Sequence, residues 1–385
     1  MGMRGTQRAG THVLLIALVL VCLGTVMVYS SSSVLASRRF ANPGFFLERQ
    51  IVRALIGLFF MFALSRVPIR LWARGARWML LAGLAALVLV LFLGVGPVGR
   101  WLQLPVFSFQ PSEFAKLALV IYLADVLVRK EKEMGDFKQG LLPRLLVVGG
   151  VLLLIGLQPD LGTAIALGLI ALVMLWLGGA RLKHLLGAGL ATLPLIGLSL
   201  LISPYQWQRM AKFIKGLLYG GTGGNYQVEQ ALVALGSGGW LGVGLGNSLQ
   251  KQQFLPEPHT DFVFALVGEE LGLAGTLSVI ALFVALAIHG LRIAREAQSY
   301  FGFLIATGIT GMISIYALLN IGVATGVLPT TGLPLPFISY GGSSLIGNLA
   351  GIGILVGVAR SEEGEESVWR RGGTAMARPQ VHKWR

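Results

Sequence analysis

The stretch QFLPEPHTDFVFALVGEELG, residues 253–272, passes from a proline-containing polar segment into an apolar run that continues to residue 288. Between residues 262 and 288 the only charges are Glu269 and Glu270. At about 1.5 Å per residue, a helix of that length crosses a hydrocarbon core of about 30 Å. The segment therefore predicts a membrane helix that begins at a polar loop. Asp261 falls on the boundary, preceded by His259 and Thr260, and the only acids between Glu229 and Glu269 are Glu257 and Asp261. An acid at a membrane surface is a candidate for chemistry on a lipid-borne substrate.

Comparable apolar runs recur on both sides of this stretch. The chain has 385 residues, is 55% hydrophobic and only 12% charged, and has a mean hydropathy of +0.74. Soluble proteins carry about twice that charge fraction. Lipid offers backbone groups no partners, so such runs cross it as helices. The prediction is an all-α, polytopic integral membrane protein with ten transmembrane helices. The spans fall near residues 13–29, 51–64, 78–95, 113–128, 145–157, 161–177, 186–201, 262–288, 300–321 and 344–358. The first has no clear cleavage motif after it and reads as an anchor.

With both termini on one side, that side holds 21 Lys and Arg and the other holds 9, while Lys116 lies inside a span. The positive-inside rule makes the richer side cytoplasmic. The net charge of +14 then serves attraction to anionic membrane lipid rather than nucleic acid. Cys22, the sole cysteine, lies in the first span, where a packed core thiol is expected.

The organisation expected is one transmembrane domain, residues 1–360, followed by a flexible cytoplasmic tail, 361–385. A first outer loop, 30–50, carries Arg38 and Arg39. A large extracytoplasmic loop, 202–261, separates helices seven and eight, and loops of that length are usually functional or disordered. Its part 205–219 sets Trp207, Met210, Phe213, Ile214, Leu217 and Leu218 against Arg209, Lys212 and Lys215. This is the pattern of an amphipathic helix in the interface. Its cations either stay solvated or meet phosphate groups of a lipid substrate. The glycine-rich part, 220–255, surrounds one short helix near 227–235 and has no Walker A loop. Pro329, Pro334 and Pro336 preclude a regular helix over 327–342.

Charges inside spans are costly and draw attention to function. In PSEFAK, Glu113 and Lys116 share a helix face, and Asp160 in QPDLGT lies at the same outer level. They form either a buried ionic lock between helices or the polar lining of a substrate cavity. Glu269 and Glu270 follow Asp261 by about 12 Å, with Glu270 turned nearly opposite. At least one of them packs between helices, and Gly268 with Gly272 makes a small-xxx-small contact face. Asp261 is expected in the first turn of its helix, where the N-terminus favours its ionised form. Capping of that helix by Thr260 or Asp261 is an equally open role. In FISYGGSSL, residues 337–345, Gly341, Gly342, Ser343 and Ser344 open another helix just after Ser339 and Tyr340. Free N–H groups there hold phosphate, or the segment is only a tightly packed cap. No DxD, HExxH, CxxC or paired-histidine spacing occurs, so no recognisable motif holds a cofactor.

Four segments, RWLQLPVFSFQPSEFAKLALVIYLA (100–124), QPDLGTA (158–164), YQVEQALVALGSGGWLGVGLGNSLQKQQFLPEPHTDFVFALVGEELG (226–272) and TGVLPTTGLPLPFISYGGSSL (325–345), occur in that order. Together they resemble the SEDS (shape, elongation, division and sporulation) family. The resemblance implies ten transmembrane helices in the bacterial cytoplasmic (inner) membrane, with cytoplasmic termini and an extracytoplasmic active site. It implies a peptidoglycan glycosyltransferase that polymerises lipid II, the undecaprenyl-pyrophosphate-linked disaccharide-pentapeptide, into β-1,4-linked glycan for septal or lateral wall. The partners it implies are a class B penicillin-binding protein and other divisome or elongasome membrane proteins. On the family's pattern, Asp261 of HTDF is catalytic, and Glu113, Lys116 and Asp160 belong to the central cavity. GLGNSLQK and LPTTGLPLPFISYGGSS look closer to the division type than to the elongation type. Family members often carry a lysine where this chain has Thr331, which weakens that loop as the source of a phosphate-binding cation.

The chemistry implied needs a base to take the proton of an attacking sugar hydroxyl, for which Asp261 is the candidate. It also needs positive charge or oriented N–H groups for the departing pyrophosphate. Candidates are Lys212, Lys215, the 341–344 turn, or a divalent cation (Mg or Mn) carried by the pyrophosphate. Two other functions compete. One is a lipid II flippase that passes the headgroup by Glu113, Lys116 and Asp160. The other is a non-enzymatic scaffold that activates the penicillin-binding protein.

Overall fold

The computed structural model describes residues 2–96, 99–103, 108–219, 221–252, 255 and 259–361. Beyond Ser361, the expected tail 361–385 lies outside the described residues, as does Glu257. Twelve α-helices are formed: α1 (Gly2–Phe40), α2 (Phe45–Leu64), α3 (Ile69–Leu93), α4 (Pro111–Arg129), α5 (Leu142–Gly156), α6 (Leu161–Leu177), α7 (Leu182–Ile202), α8 (Pro204–Tyr219), α9 (Tyr226–Ser237), α10 (Val263–Glu296), α11 (Tyr300–Ala324) and α12 (Gly342–Arg360). A two-residue hairpin, β1 (Leu102–Gln103) and β2 (Ser108–Phe109), pairs Leu102 with Phe109 and is the sole sheet among the described residues.

Each apolar run of the sequence has become a helix, and α8 and α9 lie within the long loop. Among the described residues six helical segments are long and apolar enough to cross a membrane by length and composition. Helix starts follow local chemistry. Pro111 stands at the start of α4, where its missing N–H costs nothing. The Asp160 carboxylate caps α6 by accepting from Thr163 N, at 3.2 Å. Ser299 does the same for α11 through Gly302 N, at 3.0 Å.

Helix α12 is buried nearly all round and packs against α1, α2, α4 and α11. A helix apolar on every face belongs at such a centre. Leu349, Ile352 and Leu355 meet a core that includes Leu20, Met27 and Met61. One end of the bundle gathers the starts of α2, α4, α6, α10 and α12, and there the candidate residues lie.

Three expectations are corrected. The first outer loop, expected over 30–50, is mostly helix, because α1 continues to Phe40. The serine tract tolerates this since Ser32 Oγ donates to Val28 O at 2.6 Å, a bond compatible with helix. The apolar helix after Asp261 is not continuous: Gly272 (φ 66°) breaks α10. The backbone groups freed there are paired by the inserted 239–244 loop, with Val243 N to Glu269 O at 2.9 Å and Leu273 N to Gly239 O at 2.9 Å. Gly268 lies against Leu235 of α9, the close helix contact expected of it, while Gly272 receives the inserted loop at Trp240 and Gly242. Cys22 is exposed on the outside of α1, not packed in the core.

Candidate active site

Asp261 sits one residue before the N-cap of α10, Phe262, and not in the helix's first turn. Phe262 makes no side-chain cap, so neither Thr260 nor Asp261 occupies the capping position. Both are partly exposed, and the turn carrying them is fixed through its backbone. Asn320 on α11, itself 1% exposed, donates its Nδ2 to Asp261 O at 2.8 Å and to Leu333 O at 2.7 Å. Tyr340 N donates to His259 O at 2.8 Å. The HTDF turn is thereby tied to the proline-rich 329–340 segment at Leu333, through Asn320, and at Tyr340.

His259 is buried under aromatic rings, with Phe46 at 4.7 Å and Tyr340 at 5.4 Å between centroids. Burial, with a smaller contribution from the Arg39 charge, pushes its pKa down to about 4. It is a neutral packing residue at ordinary pH. The Tyr340 ring is covered on another side by the Arg53 guanidinium, 4.7 Å from its centroid.

The LPTTG loop, residues 328–332, closes the space beside Asp261. Gly332 has φ 76°, and a Cβ placed there would stand 3.6 Å from Asp261 Oδ2 and 4.0 Å from Arg209 Nη1. A side chain at this position would enter the gap between carboxylate and guanidinium. Arg209 reaches that gap from α8, with Nη1 donating to Thr330 O at 3.4 Å and its guanidinium 4.3 Å from the Tyr205 centroid. One turn earlier, Gln206 Nε2 donates to Pro159 O at 3.2 Å. The α8 face bearing Gln206 and Arg209 thus lies across both the QPDLGT and LPTTG loops. Lys212 and Lys215 are exposed further along α8.

The buried charges separate into two pairs. Lys116 Nζ meets Glu113 Oε2 at 2.7 Å, with both side chains almost inaccessible, and stands 3.9 Å from the centroid of the Tyr316 ring. Asp160, besides capping α6, pairs with Arg100 Nη1 at 3.7 Å, and Arg100 is anchored by Nε to Gln158 O at 2.7 Å. Tyr316 lies within electrostatic reach of both Glu113 and Asp160.

The 339–344 segment is held internally. Ser339 Oγ accepts from Leu335 N at 2.8 Å. Ser343 Oγ accepts from Gln110 N at 3.0 Å and donates to Ser108 O at 3.3 Å, joining α12 to the hairpin. Ser344 Oγ accepts from Asn348 Nδ2 at 3.2 Å. Gly341 is the N-cap of α12, and at Gly342 a Cβ would come 2.6 Å from Arg53 Nε, so glycine there admits the guanidinium. These hydroxyls join elements, and among the described residues no side chain caps the first turn of α12.

Glu269 and Glu270 are both packing acids. Glu269 accepts from Ser248 Oγ and from Leu249 N, the latter at 2.8 Å. Glu270 accepts from Ser30 Oγ at 2.6 Å and meets Lys251 Nζ at 3.8 Å. They latch the GLGNSLQK loop to α10. Among the described residues no three His, Cys, Asp or Glu side chains gather as a metal site.

Asn320, Arg100 and Tyr316 carry no role in the sequence reading. Asn320 in an apolar span was the one available signal, since a lone amide there requires partners. Arg209 was visible only as one cation of an amphipathic helix.

Over residues 11–364 the chain matches the FtsW/RodA/SpoVE family, described as cell cycle protein. A probable peptidoglycan glycosyltransferase FtsW of Geobacter sulfurreducens is 41% identical over 362 residues, 93% of this chain and 97% of that protein. The stage V sporulation protein E of Bacillus subtilis is 41% identical over 362 residues, 92% of this chain and 98% of that one. Among solved structures, the rod shape determining protein RodA of Thermus thermophilus matches with a TM-score of 0.67 at 29% identity, covering 90% of this chain and 95% of that one. A chain from a structure described as the coordination of polymerization and crosslinking by a peptidoglycan synthase complex matches with a TM-score of 0.72 at 30% identity, covering 90% and 96%.

Proposed function

We propose, from the premise that this chain belongs to the FtsW/RodA/SpoVE (SEDS) family of cell cycle proteins, that it is a peptidoglycan glycosyltransferase polymerising lipid II into β-1,4-linked glycan. It is an integral membrane protein with several helices apolar and long enough to cross the bilayer. In this reading all ten long helices span, the termini are cytoplasmic, and the Asp261 end faces outward. The excess of Lys and Arg at the other end supports that orientation.

The observation that carries the reading is the fixed placement of Asp261. Its turn is clamped by Asn320 on one side and Tyr340 on the other, and Asp261 itself is half-buried beside Gly332. Asp261 acts as general base on the attacking hydroxyl, and preorganisation through the backbone keeps the carboxylate from reorienting as the bond forms. Mg or Mn enters only as a companion of the substrate pyrophosphate.

Relatives named FtsW are 38–43% identical, against 29% for RodA of known structure, which supports a division role. The partner in this reading is a class B penicillin-binding protein that crosslinks the strands, supported by the likeness to a chain of a peptidoglycan synthase complex. A lipid II flippase would need the Glu113–Lys116 pair to open, and its tight contact beneath Tyr316 favours a structural lock. Polymerisation of lipid II by the purified full chain tests the reading, and absence of glycan with every supplied partner would leave the scaffold role.

A further inference from the structure

We infer that Arg209 binds the pyrophosphate of the donor lipid and receives its charge as the glycosidic bond breaks. The inference rests on the polymerase reading and names the group that works opposite Asp261 within it. In the step concerned, the acceptor hydroxyl oxygen bonds to the donor's anomeric carbon, and its proton passes to the Asp261 carboxylate. The bond from that carbon to the pyrophosphate oxygen breaks, and its electron pair leaves with undecaprenyl pyrophosphate. A cation is required on the leaving side while the base works on the other.

The geometry around Gly332 supplies that arrangement. Asp261 Oδ2 and Arg209 Nη1 lie 3.6 Å and 4.0 Å from a single point in space, the one a Gly332 side chain would fill. The two groups are thus at most about 7.6 Å apart, close enough to flank one bound substrate group. Arg209 is preorganised, resting on the Tyr205 ring and bonded by Nη1 to Thr330 O. That bond occupies one of five guanidinium donors, leaving a fork suited to two phosphate oxygens. The hydroxyls of Thr330 and Thr331 on the same loop have no partner among the described residues, which a phosphate oxygen would supply after a small loop shift. Lys212, about one turn further along α8, and Lys215, about two turns further, are exposed, whereas Arg209 is half-buried against the LPTTG loop.

The test is binding of undecaprenyl pyrophosphate to the full chain in detergent micelles, with undecaprenol as the probe lacking phosphate. Arg209→Ala is expected to weaken undecaprenyl pyrophosphate by about tenfold or more and to leave undecaprenol unchanged. Arg209→Lys should retain an intermediate affinity, and Asp261→Asn should bind as the wild type does. In lipid II polymerisation, Arg209→Ala should lower kcat. Binding of undecaprenyl pyrophosphate by Arg209→Ala within twofold of wild type overturns the inference. So does an equal loss of both probes, which would mark a structural role. A wild type that binds but makes no glycan refutes the polymerase reading alone, while the binding comparison still decides the role of Arg209.

Discussion

Asn320 holds the backbone of Asp261: its Nδ2 lies 2.8 Å from Asp261 O and, on its other side, 2.7 Å from Leu333 O. One buried amide therefore sets the distance between the HTDF turn and the LPTTG loop. The position of the carboxylate is a property of α11 as much as of its own segment.

Replacing that amide should separate chemistry from binding. Asn320→Ala is expected to lower kcat for lipid II polymerisation by about tenfold or more while KM changes little, because a small misplacement of a base is costly. The unpaired carbonyls should also cost about 1–3 kcal/mol of stability. Unchanged kcat in folded Asn320→Ala would show that the clamp does not position the base.

Gly332 is the second control on the same gap. Gly332→Ala adds a Cβ at 3.6 Å from Asp261 Oδ2 and forces φ 76° on a residue that avoids it at about 1–2 kcal/mol. Polymerisation should fall several-fold with the melting temperature only slightly lowered. Full activity in Gly332→Ala would mean that substrate does not use this space.

The Glu113–Lys116 pair should behave as a lock. Lys116→Ala strands a buried carboxylate and is expected to cost about 3–5 kcal/mol, whereas the joint change Glu113→Gln, Lys116→Met should recover most of it. Thermal unfolding in micelles measures the cycle. Strictly additive losses would show that the two side chains do not stabilise the bundle as a pair.

Much of this architecture was legible in the sequence, and the parts that were not have physical causes. Apolar runs near 20 residues mark helices whatever their neighbours, so the positions of the apolar helices and of the amphipathic α8 followed from pattern. The extension of α1 through Ser30–Ser33 did not, since serine favours loops until Glu270 and Val28 supply its partners. The break at Gly272 was hidden because an inserted loop, distant in sequence, replaces the lost helical bonds. The HTDF acid stood out by its position at a boundary. Arg209 and Asn320 did not, because their roles arise from contacts with residues 50 or more positions away or across the bundle.

His259 offers a test in pH. Its folded pKa of about 4 lies below the ordinary 6.5, so the unfolded chain binds the proton first. The stability it contributes is full above about 6.5 and is lost as pH falls toward about 4. Melting temperatures between pH 7 and 4 should fall more steeply for wild type than for His259→Gln. Parallel curves would contradict a buried neutral imidazole.

The most direct measurement is lipid II polymerisation by the purified full chain with its crosslinking partner present, comparing wild type with Asp261→Asn. The account predicts glycan strands from the wild type and none from Asp261→Asn, which keeps the size of the side chain but cannot take the proton. Equal polymerisation by the two proteins, both folded, would contradict Asp261 as the base.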